Sequence, residues 1–375
     1  MMRLLYVENS LVIYGGVERV LVDKLNWLAE YGDCEVSLLT VDQSSHPVVF
    51  PLHDKVHHHD LDIQFYQIYR HSGWRRFRGY LRLRKLFRQR LAEKVQEHPP
   101  HVIVCTRLEM LGDVVLACGR QIPVVFESHS SFRIYQFENE PWFRKLKYFY
   151  FHRAVRKVQK VVALTKGDAM EWKKITPNVE VIPDIVHLND TGRVSNVRAK
   201  SAIFVGRFSY QKDLDTLLLI WKNVCKHHPD WQLHIFGGYG NDQERMLSEI
   251  SRMPPTVILH ESTPTMNEEY LKCSMLLMTS RFEPFGLVLS EAMSCGLPVV
   301  AFNCPYGPAD IITDGVDGFL IEGRDINVYA DKVCRLMEDD DLRLKMGKAG
   351  LLSSQRYRAE IVMPLWLKLF EQILK

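Results

Sequence analysis

The chain has 375 residues, 46% of them hydrophobic and 25% charged. That composition excludes disordered and fibrous classes, and the length predicts two domains. Forty-eight basic against 45 acidic residues leave a formal charge of +3, too small to point to nucleic acid by itself.

From the N-terminus, short apolar runs alternate with helical patterns. RLLYVE (3–8) reads as a strand, and because the chain enters this pattern at once no signal peptide is expected. Val17, Val20, Leu21, Leu25 and Leu28 recur at spacings of three and four and predict a helix from Val17 to about Tyr31, stopped by Gly32. Further strands are expected at EVSLLT (35–40), HVIVCT (101–106), PVVFES (123–128), VVALT (161–165) and VEVIPD (179–184). The polar stretch 187–200 reads as a linker, after which the pattern restarts. SAIFVGRF (201–208), WQLHIFGG (231–238), TVILHE (256–261), SMLLMTS (274–280), LPVVAF (297–302) and GFLIEG (318–323) read as strands, with helices near 213–228, 241–252, 265–272 and 287–295.

Runs this apolar, joined by helices, predict parallel sheets covered on both faces. The expected fold class is α/β. Two Rossmann-like doubly wound domains, about 1–186 and 187–357, would face a central cleft, with ligands at the strand C-termini. EIVMPLWLKLFEQILK (360–375) reads as a helix interrupted by Pro364 that closes the second domain or crosses back to the first. Eight cysteines without C-x-x-C spacing read as small buried hydrophobes in a reducing compartment. No run reaches the roughly 18 apolar residues of a membrane span. The expected location is the cytoplasm, or the inner face of the cytoplasmic membrane as a peripheral protein.

Two segments of the second half carry chemistry. In FVGRFSYQKDLDTLL (204–218), Gly206 and Arg207 end a strand and Lys212 precedes a helix. Two cations beside a helix N-terminus suit a diphosphate; an isolated R-x4-K reads more readily as two solvated loop cations. In SRFEPFGLVLSEAMSCGLPVV (280–300), Glu283 lies on a loop and Pro284 suits the first turn of a helix. That leaves the N–H groups of Phe285, Gly286 and Leu287, with Val288 in the same turn, free to meet a ligand that Gly286 lets approach closely. Glu291 falls inside the helix, where a buried carboxylate needs partners such as a vicinal diol. The alternative is a helix-dipole acid followed by a satisfied core glutamate.

With its neighbours, 280–321 (SRFEPFGLVLSEAMSCGLPVVAFNCPYGPADIITDGVDGFLI) resembles the signature of glycosyltransferase family 4, retaining enzymes of GT-B fold, with Glu283 and Glu291 as the E-x7-E pair. VGRFSYQKDLDTLL (205–218) resembles the family's G-R-x4-K segment and LHIFGGYGN (233–241) its G-x-G turn. VIPDIV (181–186) resembles the segment leading into the second domain, and YGGVERVL (14–21) the glycine-rich N-terminal loop. The resemblance implies that Arg207 and Lys212 bind the donor diphosphate beside Gly206 and stabilise it as leaving group. It implies that Glu283, Pro284 and the N–H groups of Phe285 to Leu287 hold the sugar and phosphate, and that Glu291 takes the ribose. Gly15 and Gly16 would close over the diphosphate or the acceptor. His129, on the loop after a first-domain strand, would lie near the donor sugar, although a lone loop histidine is more often structural. Tyr306 would border the donor. Two positions depart from the pattern: Asp213 stands where glycine is usual, and PDIV (183–186) where P-N-G-V is frequent.

Such an enzyme would move a hexose from a nucleotide-sugar, expected to be a UDP-sugar, to a saccharide acceptor, expected to be lipid-linked, in surface polysaccharide or lipopolysaccharide assembly. The resemblance implies no cofactor and no metal, since cations and helix dipoles neutralise the leaving group. VHHHD (56–60) and DLD (60–62) are accordingly not read as a metal site. Residues 69–90 and 141–160 interleave basic with aromatic residues and suit an anionic membrane surface. Solvated helix faces are the alternative, and no nucleic-acid motif accompanies them. An epimerase or phosphorylase on the same fold, or a non-catalytic nucleotide-sugar-binding protein, are the competing functions. A Rossmann oxidoreductase is disfavoured because no G-x-G-x-x-G follows the first strand.

Overall fold

The computed structural model describes residues 1–119, 121–132, 142–238 and 240–375, the side chains of 142–147 excepted. The chain divides into two compact units, Met1–Ile185 with Ala359–Lys375, and Val186–Arg358.

The first unit runs β1 (Met2–Glu8), α1 (Gly16–Tyr31), β2 (Cys34–Thr40), β3 (Val56–Asp60), α2 (Gly73–Glu97), β4 (Val102–Cys105), α3 (Leu108–Cys118), β5 (Val124–Ser128), α4 (Trp142–Val155), β6 (Lys160–Ala163), α5 (Lys166–Lys173) and β7 (Val179–Val181). Its strands form one parallel sheet in the order β3-β2-β1-β4-β5-β6-β7. The winding reverses between β1 and β4, so the carboxyl ends of these two strands bracket the crevice where doubly wound sheets bind ligands. Strand residues Val7, Leu39, Ile103, Phe126 and Val161 meet Phe87 and Leu91 of α2, Leu111 of α3 and Trp172 of α5 in one core. Burying both faces of the sheet requires such near-continuous apolar strands.

One strand escaped the sequence reading. VHHHD is β3, which pairs only with β2 and so tolerates polar side chains as an edge. Its groups are spent locally: His58 Nε2 lies 2.9 Å from Thr40 Oγ1, and Asp60 accepts from Thr40 Oγ1 at 2.9 Å and Ser44 N at 2.9 Å.

The second unit runs β8 (Ser201–Val205), α6 (Leu214–Val224), β9 (Gln232–Phe236), α7 (Gln243–Ile250), β10 (Val257–His260), α8 (Met266–Leu271), β11 (Met275–Met278), α9 (Leu287–Ser294), β12 (Val299–Phe302), α10 (Pro308–Ile311), β13 (Gly318–Ile321), α11 (Ile326–Glu338) and α12 (Asp340–Ser354). The sheet is again parallel, ordered β10-β9-β8-β11-β12-β13, with its switch point between β8 and β11. The stretch read as a linker is bound to this unit, Asn189 N donating to Ser294 Oγ at 2.9 Å and Ser195 Oγ to Cys273 O at 2.6 Å.

The last helix, α13 (Ala359–Leu374), belongs to the first unit and packs on α1 through Val362, Met363, Trp366, Leu369 and Phe370. The expected interruption at Pro364 does not occur; the proline falls early in the helix, where it removes a single backbone bond. Six of the eight cysteines are buried and all are free thiols.

Candidate active site

The loop between β8 and α6 carries Gly206, Arg207 and Lys212. Gly206 receives Lys212: a Cβ there would come within 3.2 Å of the lysine's Cγ and Cδ. The stem of Lys212 thus lies flat on the strand end, and its ammonium meets Glu283 Oε1 at 2.5 Å, a pair only 14% and 5% exposed. Ser280 Oγ donates to the same carboxylate oxygen at 2.7 Å. Arg207 is exposed, and its side chain makes no hydrogen bond or ion pair among the described residues.

The loop between β11 and α9 begins in an extended conformation and ends in a sharp turn. Glu283 is bridged to 305–307: its N–H donates to Pro305 O at 2.7 Å, and its carbonyl accepts from Tyr306 N at 2.8 Å and Gly307 N at 3.0 Å. This pairing keeps Pro284 outside the helix, a correction to its expected place in the first turn. Gly286 makes the turn instead, as N-cap at φ +107°, a conformation costly for any side chain. Helix α9 therefore starts at Leu287. The N–H groups of Phe285, Gly286, Leu287 and Val288 find no acceptor among the described residues. Behind them Phe285 is buried against Tyr357, the rings 5.1 Å apart edge to face.

Glu291 stands apart from this pair. It is half-buried in α9, and its Oε2 accepts from the fully buried Tyr270 hydroxyl at 3.1 Å. That bond orients the carboxylate without a ligand.

The two loops are tied to each other by hydrogen bonds. Arg281 N donates to Gln211 O at 2.7 Å, Gln211 Nε2 to Phe282 O at 3.2 Å, and Thr279 Oγ1 to Asp213 O at 3.0 Å. Asp213 is the N-cap of α6 at φ +50°. The position where the resemblance expects glycine is thus left-handed in this chain, a conformation that aspartate tolerates better than most residues.

In the first unit, Gly15 is the N-cap of α1 and Gly16 its first residue, following the carboxyl end of β1. His129 follows β5 and is buried, its side chain 4% exposed. Nε2 lies 3.2 Å from Glu127 Oε1 and Nδ1 lies 3.7 Å from Asp184 Oδ1. Lys24, from the buried stripe of α1, pairs with Glu127 Oε1 and lies 4.1 Å from the centre of the Trp366 ring. Burial opposes ionisation of Glu127, but Lys24 and His129 outweigh it and bring the carboxyl down to about 2. Burial pulls the imidazole down, and Glu127 followed by Asp184 overcomes this and raises it. Asp184, opposite the ring's other nitrogen, has fewer compensating charges, and burial pushes it up to about 6. Glu127, His129 and Asp184 each bring one potential metal-ligand atom within 4.8 Å of the others. The carboxylates approach opposite ring nitrogens, however, and a histidine gives a cation one nitrogen only.

The sequence reading brought Arg207, Lys212, Glu283 and the α9 amides to one place, and it missed Lys24, Glu127, Arg281 and Arg324. A lysine in the apolar stripe Val20, Leu21, Lys24, Leu25, Leu28 and a glutamate ending an apolar strand were the available signals.

A family model described as Glycosyltransferase Family 4 matches residues 14–190, and one described as Glycosyl transferases group 1 matches 188–352. Between them they take in both units. This chain belongs to the family 4 glycosyltransferases. The glycosyltransferase AmsD of amylovoran biosynthesis in Erwinia amylovora is 32% identical over 60% of this chain and 64% of its own length, so this family 4 chain spans a little under two thirds of that relative. An uncharacterised glycosyltransferase of Haemophilus influenzae is 27% identical over 94% of this chain and 95% of its own. A crystal structure of S. aureus TarM with UDP and alpha-GlcNAc-glycerol superposes with a TM-score of 0.80 over 99% of this chain and 100% of that one. At 15% identity that likeness shows the GT-B fold.

Proposed function

We propose that the protein is a retaining glycosyltransferase that moves a hexose from a UDP-sugar to a lipid-linked saccharide during surface polysaccharide assembly. The second unit would bind the donor and the first the acceptor. One observation carries the reading. Lys212 and Glu283, 71 residues apart in sequence, meet at the sheet's switch point on the two loops that also hold Arg207 and four backbone N–H groups without acceptors among the described residues.

The roles follow from chemistry. Arg207 and Lys212 take the diphosphate, whose charge grows as the sugar leaves, and the α9 amides add fixed dipoles to the same anion. Glu283 receives sugar hydroxyls on the oxygen that Lys212 and Ser280 leave open, and Glu291 receives the ribose. Glu283 is a poor nucleophile, being paired with Lys212. The acceptor hydroxyl therefore attacks C1 on the face the diphosphate leaves. The C1–O bond to phosphate breaks as the bond to the acceptor forms, and the acceptor's proton passes to the departing phosphate oxygen. Catalysis is then positioning and charge stabilisation. His129 and the start of α1 at Gly15 and Gly16 belong to the unit assigned to the acceptor. The UDP bound by TarM and the polysaccharide pathway named for AmsD support the donor and the setting.

A thermal-shift panel of nucleotide-sugars tests the reading, followed by transfer assays on the donor that shifts the melt most. A UDP-sugar is expected to raise the melting temperature. Lys212→Ala should cut turnover by about 100- to 1,000-fold while its unliganded melt stays near that of the parent. Absence of a shift with every nucleotide-sugar, or an active Lys212→Ala protein, would sink it. Conversion of donor alone to an isomer would indicate an epimerase.

A further inference from the structure

The second unit gathers more charge at its switch point than the family motif uses. Asp213 is 3% exposed, and its carboxylate draws in two arginines from outside the motif. Arg281 Nη2 reaches Oδ1 at 2.8 Å; Arg324 reaches Oδ2, which also accepts from Thr216 Oγ1 at 2.8 Å. The two guanidinium groups differ in what they leave open. Arg324 also donates to Ser280 O at 2.7 Å and Thr279 O at 3.1 Å, and lies over Phe302 at 4.5 Å, so it is a brace. Arg281 makes one side-chain bond. Its Nε is buried with no acceptor among the described residues, yet the side chain is 37% exposed and stacks at 4.5 Å on Tyr210, itself 69% exposed. A buried donor on a half-open guanidinium lacks an acceptor.

We propose that Arg281 is a third cation contacting the donor diphosphate, oriented by Asp213 and Arg324 as positioning residues. The proposal rests on the nucleotide-sugar reading above. Arg281 lies two residues before Glu283, and its N–H donates to the carbonyl of Gln211, next to Lys212. It is therefore built into the loop pair that holds both motif residues. Charge points the same way. Arg207, Lys212, Arg281 and Arg324 against Asp213 and Glu283 leave a formal +2, which matches the double negative charge of a diphosphate diester; without Arg281 the site is one charge short. A guanidinium also offers the forked geometry that phosphate oxygens accept.

Titration calorimetry with UDP, and with uridine as the probe lacking phosphates, tests this on the full-length protein. Arg281→Gln removes the charge and keeps an amide donor on a shorter side chain. It should weaken UDP by roughly tenfold to a hundredfold, flatten the salt dependence of UDP binding and leave uridine unchanged. Arg281→Lys, which keeps the charge, should fall between. Unaltered UDP affinity in Arg281→Gln would overturn the proposal, as would an equal loss for UDP and uridine. If Arg281→Gln melts early, the titrations are run at a temperature where it stays folded, and an unchanged ratio of UDP to uridine affinity overturns the direct contact. Failure of the parent protein to bind UDP, GDP or ADP would instead overturn the nucleotide-sugar reading itself, before any variant is made.

Discussion

Two single residues show how a departure from a family pattern can be absorbed. Asp213 and Asp184 both put a carboxylate where the resemblance expects an uncharged residue, and each is buried beside basic side chains: Arg281 and Arg324 for the first, His129 for the second. They differ in how well they are compensated. Asp213 accepts charge-assisted hydrogen bonds, whereas Asp184 has an imidazole at 3.7 Å and an Oδ1 with no hydrogen bond. This makes Asp184 a pH-dependent cost. Its folded value of about 6 lies above the ordinary carboxyl range, so the folded state binds the extra proton. Stability from this group is then lost as pH rises from about 4 to about 6, by about 3 kcal/mol in total. Asp184→Asn should remove most of that loss. Its advantage over the parent in urea melts should be larger at pH 7.5 than at pH 5, by about 1 kcal/mol. A difference that does not vary with pH would refute the assignment. Glu127 sets no such trap: held down to about 2 against burial, it stabilises the fold until pH falls below about 4.

At the scale of elements, what could be read from sequence was whatever has a periodic cause. The second unit's strands were legible because a strand covered on both faces must be apolar throughout. Strand β3 was not, since VHHHD sits at an edge where that requirement lapses. Helices α11 and α12 went unread although aspartate caps open both, Asp325 accepting from Asn327 N and Val328 N, and Asp339 from Leu342 N. Pairings between loops had no periodic cause at all. Nothing in the sequence shows that 305–307 holds Glu283, although this bridge sets where α9 begins. Gly307 makes it possible: a Cβ there would overlap the carbonyl oxygen of Phe285, and the backbone cannot yield as a side chain would. Its own φ of −63° is ordinary, so the demand is for space and not for conformation. Gly307→Ala should push the loop from Glu283 to Gly286 away from 305–307, costing about 2 kcal/mol or more. Donor affinity should fall beyond what the lost stability explains. If the variant melts and binds nucleotide like the parent, the bridge does not position the site.

On the scale of the molecule, a net charge of +3 conceals an uneven distribution. Helix α2 is divided along its length. Its second half is docked, with Phe87, Leu91 and Val95 buried and Arg84 and Arg88 spent on Asp113 of α3 at 2.6 and 2.9 Å. The first half has no such cover. Trp74, Phe77 and Leu81 are 70%, 48% and 48% exposed at helical spacing, and Arg75, Arg76, Arg78 and Arg82 beside them are exposed as well. Residues 69–90 thus contain both structural and unspent arginines, which composition alone could not separate. The companion stretch 141–160 falls partly outside the described residues. Its described part adds the exposed Phe149, Arg153, Arg156 and Lys157. No described helix is long and apolar enough to cross a membrane. An apolar strip flanked by cations instead suits the interface of an anionic bilayer, with about 1 kcal/mol from each cation near the surface. The four arginines of α2 would contribute about 4 kcal/mol at low salt, and half a molar salt should remove most of it because the Debye length shrinks to about 4 Å. Sedimentation with phosphatidylserine vesicles should carry the protein down at low salt and release it at high salt, and neutral vesicles should not retain it. Replacing Arg75, Arg76 and Arg78 by glutamine should weaken binding by about a hundredfold without altering UDP affinity, because these residues lie in the unit assigned to the acceptor. Equal retention by neutral and anionic vesicles, or binding indifferent to the three substitutions, would leave this face as solvated helix and detach the acceptor from the membrane.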